Sequence, residues 1–227
     1  MRLGGVAAAC CLLLHLVPAA AVAAGPSCHC FRDREYDPAD PGTSDEYLLA
    51  TAANSLLSAA YGMPKRAIVE ARMSGTSGDD LWISAYAARC QGTDAGALMT
   101  ARAAAASWRE VFSSRGGNLE PLGPRFVAAL ADGAGDAALS RLAAAETLAD
   151  RLGAPWPQLQ ALVDGGATLQ ETVLAALIGS WSSRPALEVY AEVKAGKTGW
   201  SRLLATRGRV PKQMEIEVPK ALRPAIR

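Results

Sequence analysis

The chain has 227 residues, half of them apolar, with 23 basic and 22 acidic side chains, which is enough for one sizeable core or two small ones and excludes wholesale disorder. Alanine is abundant, whereas aromatic and β-branched residues are sparse and seldom alternate with polar ones, so the expected class is all-α.

Residues 1–24 have the three-part layout of a secretory signal peptide: a basic start at Met1-Arg2, an apolar stretch through Leu16-Val17, then Pro18 and small residues ending at Ala23-Ala24. Cleavage after Ala23 or Ala24 leaves a periplasmic or secreted protein with no membrane span. Kept in place, the same segment is nearly long enough for an anchor. Removing it leaves 22 basic and 22 acidic residues, three cysteines and the single histidine His29. One histidine excludes a multi-histidine metal centre and leaves almost nothing from which to assemble a Ser-His-Asp or Cys-His hydrolase.

Residues 25–44 read as an irregular extension that carries Cys28-His29-Cys30. Asp37-Pro38-Ala39-Asp40-Pro41-Gly42 is turn material, because proline removes an amide donor and biases its predecessor away from helix. The acids Asp33, Glu35, Asp37 and Asp40 lack the central glycine and closing glutamate of a calcium loop.

The rest of the chain repeats itself at about 92 residues. Trp108 to Gly116 matches Trp200 to Gly208, Leu81 pairs with Val173, Thr76 with Thr168 and Leu56 with Leu148, and Gly62-Met63-Pro64 aligns with Gly153-Ala154-Pro155 after one residue of slippage. Two tandem units are expected, 45–131 and 136–227, each of five short helices and packed together, since an alanine-rich unit of that size has a thin core by itself.

The helices are punctuated by glycine and proline. A stripe of Leu48, Leu49, Ala52, Leu56 and Ala60 stops at Gly62-Met63-Pro64, and a second helix runs from Lys65 to Met73. Thr76 to Asp79, Thr168 to Glu171 and Ser107 to Glu110 each place a hydroxyl three residues before a carboxylate, as a capping box does. Trp108 and Trp200 are read as core anchors and Gly116 and Gly208 as helix stops. The stretch Gln213 to Val218 alternates apolar with charged residues and is expected to be a short strand or an extended arm.

Cys90 closes the third helix, and its counterpart in the second unit is Ser182, so the helical scaffold does not require it. A disulfide from Cys28 or Cys30 to Cys90 would pin the extension and stabilise the fold by roughly 3 to 4 kcal/mol. One cysteine is then left over, free for an intermolecular bridge and hence for oligomerisation. Alternatively Cys28, His29, Cys30 and Cys90 gather a soft ion, Zn or Cu, although a single residue between the paired cysteines is fewer than structural zinc sites use.

Residues 184–227 hold ten Lys or Arg against four Glu. Lys194, Lys197, Arg202, Arg207, Arg209 and Lys212 therefore form a candidate surface for a partner. Leu148 to Leu162 has the outline of a helix-turn-helix, but residues 156–163 contain no Lys or Arg, so no nucleic-acid partner is expected. The carboxylate pairs Asp45-Glu46 and Asp79-Asp80 fall where helices start, an ordinary stabilising position. The function expected is that of a secreted or periplasmic helical binding or scaffold protein, non-enzymatic and without cofactor, acting on a protein of the cell envelope. The alternative is a periplasmic thiol or soft-metal handling protein.

Overall fold

The computed structural model describes residues 41–209 and 211–224. The expected leader and the Cys28-His29-Cys30 motif lie outside them. Among the described residues the fold is all-helical, with twelve α-helices and no strand. In chain order these are α1 (Pro41–Tyr61), α2 (Lys65–Met73), α3 (Gly78–Gln91), α4 (Ala95–Ala103), α5 (Trp108–Arg115), α6 (Pro124–Ala131), α7 (Asp136–Thr147), α8 (Trp156–Asp164), α9 (Leu169–Ser182), α10 (Ala186–Lys194), α11 (Trp200–Ala205) and α12 (Met214–Ala221). Short 3-10 turns precede α6 and α12, and a π-helical turn, Leu148–Leu152, prolongs α7.

Two 14-residue helices, α3 and α9, form the centre. Both bury an uninterrupted run, Leu81 to Ala88 in α3 and Thr172 to Gly179 in α9, and a helix apolar on every side must sit inside. The α3 cap is Ser77, whose hydroxyl accepts from the Asp79 amide, and not the expected Thr76. The α9 capping box is complete: the Thr168 hydroxyl accepts from the Glu171 amide, and the Glu171 carboxylate accepts from the Thr168 amide. The shorter helices lie around this pair, each burying one stripe, such as Ile68 in α2 or Leu159 and Leu162 in α8.

Two hydrophobic clusters result. One is drawn wholly from α3 to α7 and is aromatic: Trp108 stacks near Phe112 (ring centres 5.7 Å apart), and Phe126 meets both Phe112 (6.3 Å, edge-on) and Tyr86 (5.1 Å). The other is aliphatic and joins α1 to the second half of the chain, with Leu48, Leu56 and Leu57 among Val173, Leu177, Leu204 and Val218. Accordingly α1 lies chiefly against α9, α11 and α12, and α7 lies chiefly against α3. The first helix of each half is thus packed into the other half.

Trp108 and Trp200 are both buried, at 0% and 3% exposure. Gly116 and Gly208 follow α5 and α11 with φ of 60° and 64°, left-handed conformations that a side chain would strain.

Three expectations are corrected. Ten helices were expected, and α6 and α12 are additional; Gly123-Pro124 starts α6, where proline suits the first helical position, and Phe126 and Leu130 bury its apolar face. Residues 213–218 form neither strand nor arm. Met214 and Val218, four apart, both point into the core, and Glu215 and Glu217 sit in the first turn where negative charge favours a helix, so the apparent alternation is a helical stripe. Finally, α1 begins at Pro41, inside the segment expected to be irregular, because proline is tolerated in a first helical turn.

Candidate functional site

Cys28, His29 and Cys30 lie outside the described residues, which leaves Cys90 as the only member of the expected sulfur site with a described position. Cys90 is a free thiol, half-buried at the end of α3. It lines a cleft of about 370 Å³ with Tyr61, Tyr86, Glu146, Asp150 and Arg151. Burial pushes the thiol's pKa up, which opposes the thiolate that exchange or metal binding requires. Among the described residues no three His, Cys, Asp or Glu side chains cluster as metal ligands do.

The expected basic surface divides in two. Lys194 is paired with Glu171 at 3.2 Å, and Arg209 pairs with Glu217 and lies over the Trp181 ring, 4.7 Å from its centre. Lys197, Arg202, Arg207 and Lys212 are exposed and make no ion pair among the described residues. Of these four, Arg202 lies on the short helix α11, Lys197 and Arg207 in the connections on either side of it, and Lys212 in the 3-10 turn before α12.

The carboxylate pair at the start of α3 is structural. The Ser140 hydroxyl, from α7, donates to Asp79 at 2.5 Å. Asp80 accepts from the Trp108 indole at 2.8 Å and from Arg102 Nε at 3.1 Å, while Arg102 also reaches Asp136 at 2.7 Å and the Ala105 carbonyl at 2.7 Å. This half-buried knot joins α3, α4, α5 and α7, and in it the single cation Arg102 is shared by Asp80 and Asp136.

A second cleft, of about 530 Å³, lies elsewhere, where α1, α7 and the starts of α3 and α9 meet. Arg72 from the end of α2 and Arg141 from α7 line it, beside Ser77-Gly78 and Leu169-Gln170. Neither arginine makes an ion pair among the described residues, and the Nε of Arg141 is buried without a hydrogen-bond partner there. Burial lowers the pKa of Arg72, the nearby Asp79 partly opposing it. The sequence gives no signal for this pairing, since the two arginines are far apart in the chain and only the fold brings them to one cleft.

No protein-family model, curated protein or solved structure matches this chain. Functional inference therefore rests on its own residues. No helix among the described residues is long and apolar enough to cross a membrane.

Proposed function

We propose that the chain is an exported, non-enzymatic helical binding protein of the periplasm or the secreted fraction, and that the basic face around α11 captures an acidic protein of the cell envelope. The observation that carries this reading is the contrast within the last third: Lys194 and Arg209 are neutralised internally, whereas Lys197, Arg202, Arg207 and Lys212 face solvent with no carboxylate against them among the described residues. Such a face attracts and orients an acidic partner at a rate that falls with added salt. The export half of the reading rests on residues 1–24 alone. The test is a pull-down from an envelope extract with the wild-type protein and with Lys197, Arg202, Arg207 and Lys212 all changed to Glu. A partner captured at low salt by the wild type and lost from the variant supports the reading, and equal capture by both removes it.

The same proposal holds that the two halves are copies of one ancestral unit, now of six helices. Support comes from the helix series: α2 and α8, α3 and α9, and α4 and α10 have matching lengths of 9, 14 and 9 residues, and within each pair the starts are 91 residues apart. Asp45 and Asp136, near the starts of α1 and α7, share that offset, and each reaches into the half that its helix joins. The thiol or soft-metal alternative has less behind it, because burial raises the pKa of the Cys90 thiol, which disfavours the thiolate that both chemistries use.

A further inference from the structure

We propose that the 530 Å³ cleft binds a small ligand through an oxyanion, either a carboxylate or a phosphate group, held between Arg72 and Arg141 at the starts of α3 and α9. This goes beyond the partner-binding role proposed above and does not depend on it.

The cleft gathers positive charge that the fold leaves unanswered. The ends of two 14-residue helices converge on it, and a helix N-terminus carries the equivalent of about half a positive charge together with amides that have no intrahelical acceptor. At α9 the capping box satisfies the amides of Thr168 and Glu171, leaving those of Leu169 and Gln170 beside the cleft. At α3 the Ser77 hydroxyl takes the Asp79 amide, leaving that of Gly78.

Arg72 lies directly over that second helix start. A Cβ at Gly78 would collide with its guanidinium, so glycine is what lets the cation approach the backbone. A cation set against the positive end of a helix is unfavourable unless negative charge is supplied nearby. Asp79 supplies part of it, attracting Arg72 while accepting the Ser140 hydroxyl. Of the other first-turn carboxylates, Asp80 is taken by Arg102 and Glu171 by Lys194 and its own capping box, which leaves Asp79 as the acid that faces both guanidinium groups.

Arg141 adds the observation that points to a ligand. Its Nε is buried with no acceptor among the described residues, and an unmet donor on a charged group is costly enough that the great majority of such atoms are paired. Arginine offers paired N–H groups that match the two oxygens of a carboxylate or phosphate, and helix N-termini bind the same groups through backbone amides. The cleft's volume falls within the range of small-molecule sites. Leu57, Leu81 and Trp82 on its inner wall give an apolar surface for the body of the ligand.

The test is calorimetric titration and thermal melting of the full chain in separate arms with inorganic phosphate, with citrate, and with sodium chloride at matched ionic strength. Saturable binding in the phosphate or the citrate arm, absent with chloride, is expected, and the arm that binds more tightly assigns the group. Arg141→Gln is expected to weaken that binding about tenfold or more. Should Arg141→Gln melt early without ligand, Gly78→Ala is read instead: it displaces the Arg72 guanidinium and is expected to weaken binding while leaving Arg141 in place. No saturable binding in either arm up to about 10 mM, where a millimolar site is nearly filled, overturns the proposal. So does unchanged affinity in the double variant Arg72→Gln with Arg141→Gln.

Discussion

The carboxylate of Asp45, in α1, accepts hydrogen bonds from the backbone amides of Trp200 at 2.9 Å and of Ser201 at 2.7 Å. It caps α11 from another helix, because the residue in the capping position, Gly199, has no side chain to do so. Capping side chains are worth about 0.5 to 2 kcal/mol, and Asp45→Ala is expected to lose that much. Asp45→Asn, which keeps one acceptor, should lose less. Urea unfolding of the three proteins, followed by far-ultraviolet circular dichroism, checks the order.

Arg102 is the hinge of the polar knot at the start of α3. Its removal leaves Asp80 and Asp136, both half-buried, without their cation, and the Trp108 indole bonded to a carboxylate that nothing neutralises. Arg102→Ala is expected to cost about 1 to 3 kcal/mol, and Arg102→Lys to recover only part, since an ammonium cannot reach Asp80, Asp136 and the Ala105 carbonyl from one planar group. Denaturant midpoints of the two variants read this directly.

Stability should fall in alkaline solution through Tyr61 and Tyr86. Burial holds both phenols well above the ordinary value of 10.0; Tyr86 donates to the Leu122 carbonyl at 2.7 Å, and Tyr61 bonds Thr147 Oγ1 at 2.5 Å. Since the Thr147 hydroxyl itself donates to the Ala143 carbonyl, Tyr61 is the donor in its bond. Below 10.0 both folded and unfolded chains keep the phenolic protons, and stability is intact. Above it the unfolded chain ionises first and folding weakens, and Cys90, also raised by burial, acts in the same direction from 9.0. Urea midpoints at about pH 8 and pH 11 should diverge, and Tyr61→Phe with Tyr86→Phe should narrow the gap.

Residues 64–152 should fold as a unit, although they straddle the boundary between the halves. The aromatic cluster is complete within α3 to α7, with Leu139 and Ala143 of α7 closing it. A fragment ending at residue 133 lacks that closing helix and should be molten, with dispersed amide resonances only in the longer fragment. If the shorter fragment is equally well ordered, the packing of α7 against α3 has no energetic weight.

The local chemistry of most helices could be read in the sequence, and their assembly could not. Gly62-Met63-Pro64 and Thr168 to Glu171 mark their boundaries because a positive φ, a missing amide and a reciprocal cap are local properties. Thr76 was one residue off the true cap, Ser77, since two adjacent hydroxyls offer the same chemistry and only backbone geometry selects between them. Two helices went unread for different reasons. Helix α6 is eight residues with a single buried pair, too short for a periodicity to stand out, and α12 places Met214 and Val218 where charged neighbours imitate a strand. The cleft between Arg72 and Arg141 had no signature, because it exists only once α1, α7 and the starts of α3 and α9 have been brought together.

The packing of α1 against the end of the chain also imposes an order on folding. Helix α1 is the first described element to be synthesised, yet its apolar face is covered by α9, α11 and α12. It must therefore wait, uncovered, until nearly the whole polypeptide has emerged. Contacts of such long sequence separation are rare among helical proteins and slow their acquisition of native structure. Until then the apolar face of α1 stands open to any other apolar surface that it meets.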